Sequence, residues 1–232
     1  MKLSLSPLLA LLPVLIFAGC AAGKRTSSAQ SEMHARVESE AIVQNFGAVE
    51  TEGVRSYLAY LEQRLSLAAA RIPNAEAAHY HFILVNSNDP LALSLGGYRV
   101  IISKGLVRAL SNEAELAFVL AHELAHQKLG HAHLLEEESS RQNGELPAAE
   151  IEADRFAVGL IALAGYDPRS GAGALVHAYR ANGLAENRST HPALESRLNA
   201  VLHAVLESKW QPPGTIDRRA FRMLQRDLST SG

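Results

Sequence analysis

Only one cysteine, Cys20, occurs in the 232 residues, so no intramolecular disulfide can hold this chain together. Sustained charge of one sign is equally absent. Lys and Arg number 22 against 24 Asp and Glu, a formal net charge of -2 with both signs scattered along the chain. No basic stripe is available to hold a phosphate backbone, which argues against a nucleic-acid partner. The apolar run from Leu3 to Phe17 is broken by Pro7 and Pro13. It is shorter than the roughly 20 apolar residues that a membrane-spanning helix needs. No internal repeat is present. What remains is ordinary globular composition, 47% hydrophobic and 20% charged, enough for one domain with a real core and a tight fit for two.

The first nineteen residues differ from the rest: Lys2, the apolar run, then small residues ending before Cys20. That order reads as an export signal. Phe17-Ala18-Gly19-Cys20 resembles the bacterial lipobox, although Phe17 stands where leucine is usual. The resemblance implies lipidation of Cys20 and anchoring on the periplasmic side of a bacterial membrane. Ala21 follows the cysteine where an aspartate would retain such a lipoprotein at the inner membrane, so the outer membrane is expected. From residue 20 to about 31 the chain is small and polar and reads as a flexible tether, with one domain from 32 to 232.

Helical patterns follow at Glu32 to Phe46 and Gly53 to Ala70; Val54, Tyr57, Leu58, Leu61, Leu65 and Leu67 are read as the stripe of the second. Tyr80 to Val85, the alternating Leu91, Leu93 and Leu95, and Tyr98 to Ile102 read as strands of one small sheet. Helical sequence then dominates, at about Asn112 to His133, Pro147 to Ala164, Pro168 to Asn182 and Pro192 to Glu207. Asn112 with Glu115 makes a capping-box pattern, and Pro147 and Pro192 suit first-turn positions. The expected fold is α+β, mostly helical and zincin-like, with the small sheet against the helix that contains His122.

His122-Glu123-Leu124-Ala125-His126 is an HExxH string in the middle of the strongest helical pattern. Residues four apart lie on one helical face, so both imidazoles can converge on one ion. Glu123 follows about 100° round the helix, placed to act as general base on water without becoming a ligand. Zinc suits two imidazoles and a carboxylate with one position open. Chance supplies on the order of 0.03 such strings in a chain with this histidine content, so a metal site is the better reading.

A metzincin would need a histidine at position 132, which is Ala132 between His131 and His133. Downstream, Glu150 and Asp154 lie one turn apart on another helical pattern. Glu150 can complete a His/His/Glu zinc site, and Asp154 can accept the outer N–H of a ligand histidine. His131, His133 and the acidic run Glu136 to Glu138 read as a solvated helix end leading into a loop.

Several motifs together carry a family resemblance: Ser94-Leu95-Gly96-Gly97-Tyr98, Ser103-Lys104-Gly105-Leu106-Val107, Asn112 to Leu116 leading into HELAH, Glu150 to Asp154 as ExEAD, and Thr190-His191-Pro192 with Arg197. In this order the stretch from Leu84 to Arg197 resembles the HtpX/BepA-like gluzincin metallopeptidases, which are related to the CAAX prenyl protease. The resemblance implies Glu150 rather than Glu152 as the third ligand, with Asp154 behind the metal. It also sets His191 near the zinc, able to fill the open position or donate to the oxyanion; read alone, His191 is only the residue before a helical Pro192. Arg197 either assists catalysis or braces its helix. Asn88 to Ala92 departs from the family's usual stretch, which bears on substrate preference.

The expected function is zinc-dependent endopeptidase action on unfolded or misassembled polypeptide, in envelope quality control. Rival readings are a chaperone-like, non-catalytic binding module in outer-membrane protein assembly and a zinc hydrolase for a substrate other than peptide. An intact Glu123 favours catalysis, since pure binding has no use for a base beside the metal. The strand around Leu91 to Leu95 is expected to pair with extended substrate at its open edge, its leucine row facing the core and its N–H groups at Ala92 and Ser94 pointing differently.

Overall fold

The stripe at 53–70 becomes a core helix because its start is chemically specified. In the computed structural model, which describes residues 28–72, 79–131, 145–182, 194–208, 210 and 219–230, α1 (Ser28–Phe46) precedes α2 (Glu52–Ala69). The Thr51 hydroxyl accepts the Val54 N–H at 3.3 Å and caps α2. Val54, Tyr57, Leu58, Leu61 and Leu65 are buried. Leu67, counted in the same stripe from sequence, is instead 63% exposed, because two residues past Leu65 is about 200° round a helix. α1 begins at Ser28, inside the stretch whose composition reads as a tether.

Three strands form the sheet: β1 (His81–Val85), β2 (Ala92–Gly96) and β3 (Arg99–Ser103), in the order β1-β3-β2. β1 runs parallel to β3 and β2 antiparallel to it. The outer edge of β1 is covered, since Ala48 bridges Val85, the Val49 N–H reaches the Leu84 carbonyl at 2.8 Å and the Asn86 N–H reaches Gly47 at 2.9 Å. β2 is the opposite edge, and no strand pairs with its outer side among the described residues.

Register decides which groups of β2 face outward. Ala92 pairs with Ile102 and Ser94 with Val100, and the Ser103 N–H bonds the Leu91 carbonyl at 2.9 Å. Leu91 and Leu93 therefore direct their backbone groups to β3, while Ala92 and Ser94 both direct theirs to the open edge. The expectation that Ala92 and Ser94 would differ is overturned: two residues apart on a strand, they share a side. It is also Ala92 that packs against the main core, and Leu91, Leu93 and Leu95 are only half-buried.

The β2–β3 turn has three successive positive φ angles, at Gly96, Gly97 and Tyr98. Tyr98 pays for a conformation that side chains disfavour, and a helix holds it there. That helix, α4 (Glu113–Lys128), presents Gln127, whose Oε1 accepts the Tyr98 N–H at 2.6 Å and whose Nε2 donates to the Arg99 carbonyl at 3.0 Å. Val100 and Ile102 of the sheet join Leu116, Leu120 and Leu124 of α4 in one core.

Asn112 caps α4, its Oδ1 accepting the Glu115 N–H at 3.0 Å, while Glu115 Oε2 accepts the Ser111 N–H at 2.8 Å. The box anticipated from sequence is thus closed one residue early. α4 ends at Lys128 rather than near His133, because Gly130 turns the chain at φ 75°. After it come α5 (Glu145–Leu163), α6 (Ser170–Ala181), α7 (Leu194–Glu207) and α8 (Arg219–Thr230).

Two helices have no counterpart in the sequence reading. α3 (Lys104–Ala109) is capped by Ser103, which accepts the Leu106 N–H at 3.1 Å. Its Gly105 discourages a helical reading but is required, since a Cβ there would stand 2.0 Å from the Asn88 carbonyl oxygen. In α8, Phe221, Leu224 and Leu228 are buried at helical spacing amid a strongly charged surface. The fold is mostly helical α+β, with the small sheet on the HExxH helix, as expected.

Candidate metal centre

The i, i+4 spacing on α4 sets His122 and His126 one turn apart, and packing of α5 against α4 supplies the third group. Both helices carry alanines with no exposed surface, Ala121 and Ala125 on α4 and Ala153 and Ala157 on α5; small side chains permit a close helix pair. His122 Nε2 lies 3.1 Å from His126 Nε2 and 3.5 Å from Glu150 Oε2, and His126 Nε2 lies 3.3 Å from Glu150 Oε1. Tetrahedral zinc, with bonds of about 2.0–2.2 Å, sets its donor atoms roughly 3.3–3.5 Å apart. The three side chains fit that ion, and they are the one group of this kind among the described residues.

Behind this cluster the outer nitrogen of His122, Nδ1, lies 3.0 Å from Asp154 Oδ1. Asp154 is fully buried. Arg197 of α7 donates to both its oxygens, from Nε at 2.8 Å and Nη2 at 2.7 Å, and its Nη1 lies 2.9 Å from Glu150 Oε2. One cation thus bridges two carboxylates a turn apart on α5.

The electrostatics follow. Two carboxylates against one guanidinium leave a buried excess of negative charge, suited to a cation. Burial would lower the His122 imidazole, but its hydrogen bonds with Asp154 and Glu150 outweigh burial and push it up to about 9. Burial would raise Asp154; hydrogen bonds from Arg197 and His122 win and hold its carboxyl below the usual range. Arg197 is kept firmly charged, since Asp154 and Glu150 overcome the burial that would lower it.

His131 is a correction. Read from sequence as part of a solvated helix end, it is 6% exposed and lies against the cluster. Its Nδ1 is 3.2 Å from His126 Nδ1 and its Nε2 is 3.3 Å from Glu152 Oε2. Burial, and then the charge of His126, lower its pKa. Glu152 therefore stands outside the cluster with a 62% exposed side chain, and Glu150 is the carboxylate that meets both histidines. Gly130 was the available signal, because a glycine stop turns the next residue back over its own helix.

Glu123 is half-buried on α4 beside His122. His191, Cys20, His133 and Glu136 to Glu138 lie outside the described residues. A cavity of about 430 Å³ between α2 and α8, lined by Tyr57, Tyr60, Glu113 and Met223 among others, includes no member of the cluster.

With this geometry in hand, comparison with known proteins is specific. The model of Peptidase family M48 matches residues 56–142 and that of Peptidase U49 matches residues 108–209; both matches include His122 to His126. A beta-barrel assembly-enhancing protease of Yersinia pestis is 38% identical over 68 residues, 29% of this chain and 14% of the relative. The protein of that name from Escherichia coli (strain K12) is 31% identical over 102 residues, 44% of this chain and 20% of the relative. The chain thus spans a fifth or less of the length of these curated relatives. The resemblance carried by the sequence motifs is supported: the matched stretches are similar to Peptidase family M48, to Peptidase U49 and to these proteases.

Proposed function

We propose that this chain, a relative of the M48-type metallopeptidases, is a zinc-dependent endopeptidase that cleaves unfolded or misassembled polypeptide in a bacterial envelope. The observation that carries the reading is the convergence of His122, His126 and Glu150 at donor spacings suited to zinc, with Glu123 on the same helix. Zinc, when bound, supplies a Lewis acid for the scissile carbonyl and makes water a competent nucleophile near neutral pH. Glu123 takes the proton from the attacking water and delivers it to the leaving nitrogen. Asp154 holds His122 in the tautomer that leaves Nε2 free, and Arg197 keeps Asp154 and Glu150 in place. By the family resemblance, His191, which lies outside the described residues, is proposed either to donate to the developing oxyanion or to fill the metal's open position.

The envelope setting draws on the name of the relatives, beta-barrel assembly-enhancing protease, and on the lipobox-like run ending at Cys20. No helix among the described residues is long and apolar enough to cross a membrane, and a lipid at Cys20 would provide attachment to the outer membrane. Cys20→Ser is expected to leave the membrane fraction or remain unprocessed; wild-type protein that is cleaved, soluble and unlabelled by a fatty-acid analogue would remove this part. The test of the activity is cleavage of an unfolded polypeptide by the full chain. Chelation should abolish it and one equivalent of zinc should restore it. Cleavage indifferent to chelation would reject the proposal, and zinc-dependent binding without cleavage would favour the binding-module rival.

β2 is assigned as the substrate platform because its outward N–H and C=O groups at Ala92 and Ser94 have no ladder partner among the described residues. Proline at either position removes one bond to an extended substrate and none to β3. Each variant is expected to lower kcat/KM for unfolded polypeptide by about three- to tenfold, the worth of one hydrogen bond. Zinc content and thermal unfolding should hardly change. If both variants cleave at the wild-type rate, substrate does not pair with this edge.

A further inference from the structure

We propose that His131, anchored by Glu152, is a positioning residue for the metal ligand His126, fixing its tautomer and ring orientation through an imidazole–imidazole hydrogen bond. The inference rests on the metal-centre reading and extends it to the outer nitrogen of the second histidine.

The arrangement begins with how α4 stops. Leu129 is the C-cap, Gly130 takes the left-handed conformation at φ 75°, the His131 N–H bonds the His126 carbonyl at 2.8 Å, and the Gly130 N–H bonds Gln127 at 3.3 Å. This pair of reversed bonds makes a Schellman terminus, which brings the residue after the glycine over the residue five positions earlier. An apolar contact usually joins those two positions. Here both are histidines, with ring centroids 5.2 Å apart at 71° and the two Nδ1 atoms 3.2 Å apart.

Hydrogen accounting then selects one arrangement. If His126 presents the Nε2 lone pair to a metal, its proton resides on Nδ1, and that N–H must donate. The nitrogen it meets, Nδ1 of His131, must accept. A neutral His131 consequently carries its own proton on Nε2, where Glu152 Oε2 waits 3.3 Å away to accept it. One tautomer assignment satisfies all three groups. His122 is served by Asp154 directly; His126 reaches its carboxylate through His131. The two ligand histidines are thus both oriented from behind, by different chemistry.

The test is zinc affinity of the metal-free full chain, read by competition with a chromophoric chelator, alongside thermal unfolding of the same metal-free samples. His131→Leu retains bulk but offers no acceptor, and it should raise the zinc Kd by about 10- to 100-fold. Its metal-free unfolding midpoint should stay at or above wild type. His131→Asn places an oxygen near the Nδ1 position and should recover most of the lost affinity. Wild-type affinity in His131→Leu would overturn the proposal. So would an Asn variant as weak as the Leu variant, or a loss of affinity matched by a fall in metal-free unfolding temperature. Glu150→Ala serves as the reference: if it binds zinc like wild type, or if wild type binds none, the metal-centre reading fails and this inference with it. If Glu150→Ala loses zinc while His131→Leu does not, the inference alone fails.

Discussion

Glu123→Gln is expected to retain zinc at the wild-type level and to lose peptide hydrolysis by about 10²- to 10⁴-fold, the usual worth of a general base. The substitution is nearly isosteric, and the site it borders is held from elsewhere: Asp154 and Arg197 lie behind His122, and His131 behind His126. Nothing in that set of contacts involves the Glu123 carboxylate, so metal binding should survive. What the amide cannot do is take a proton from water. Zinc content and turnover should be measured on the same sample, with an unfolded polypeptide as substrate. Retained turnover would remove Glu123 from the proposed mechanism, and loss of zinc would reassign it to the metal's support.

Glu150→Ala is expected to weaken zinc binding more than any other single carboxylate substitution. Its two oxygens face both histidines, at 3.5 Å and 3.3 Å, so truncation removes a ligand and leaves Arg197 facing a cavity that should hold a cation. Asp154→Asn should fall between, at about 10- to 100-fold, because the amide still accepts from one neighbour while the charge that holds Arg197 and His122 is gone. Glu152→Ala should cost least, since its largely exposed carboxylate meets His131 alone among the described residues and water can replace it. Zinc titration of the four metal-free proteins ranks them directly. Loss of zinc in Glu152→Ala with retention in Glu150→Ala would place the ligand on the wrong turn of α5.

The parts of the fold legible in the chain were those whose cause is local. The stripe of α2 and the Asn112 cap of α4 depend on residues within one or two turns, and periodicity exposes them. α3 was illegible because its Gly105 answers a contact with Asn88 seventeen residues away, which no local pattern records. α8 carried a readable stripe in Phe221, Leu224 and Leu228, diluted by the arginines around it.

By itself the sequence determined the metal-binding potential of this protein, because HExxH on a helix is a local fact: 3.6 residues per turn aim His122 and His126 the same way whatever else the chain does. It also determined, through the ExEAD spacing, that Glu150 and Asp154 share a face. Only the tertiary structure decided what those groups do together. Docking of α5 on α4, and of α7 on α5, turned a generic acidic pair into one carboxylate beside both histidines and one fully buried partner of His122 and Arg197. Chain reversal at Gly130 converted His131 from a surface residue into a contact of His126. Strand pairing decided that the side Ala92 and Ser94 share is the open edge, since outward direction on a strand is set by register with its neighbour and not by the strand's own side-chain pattern.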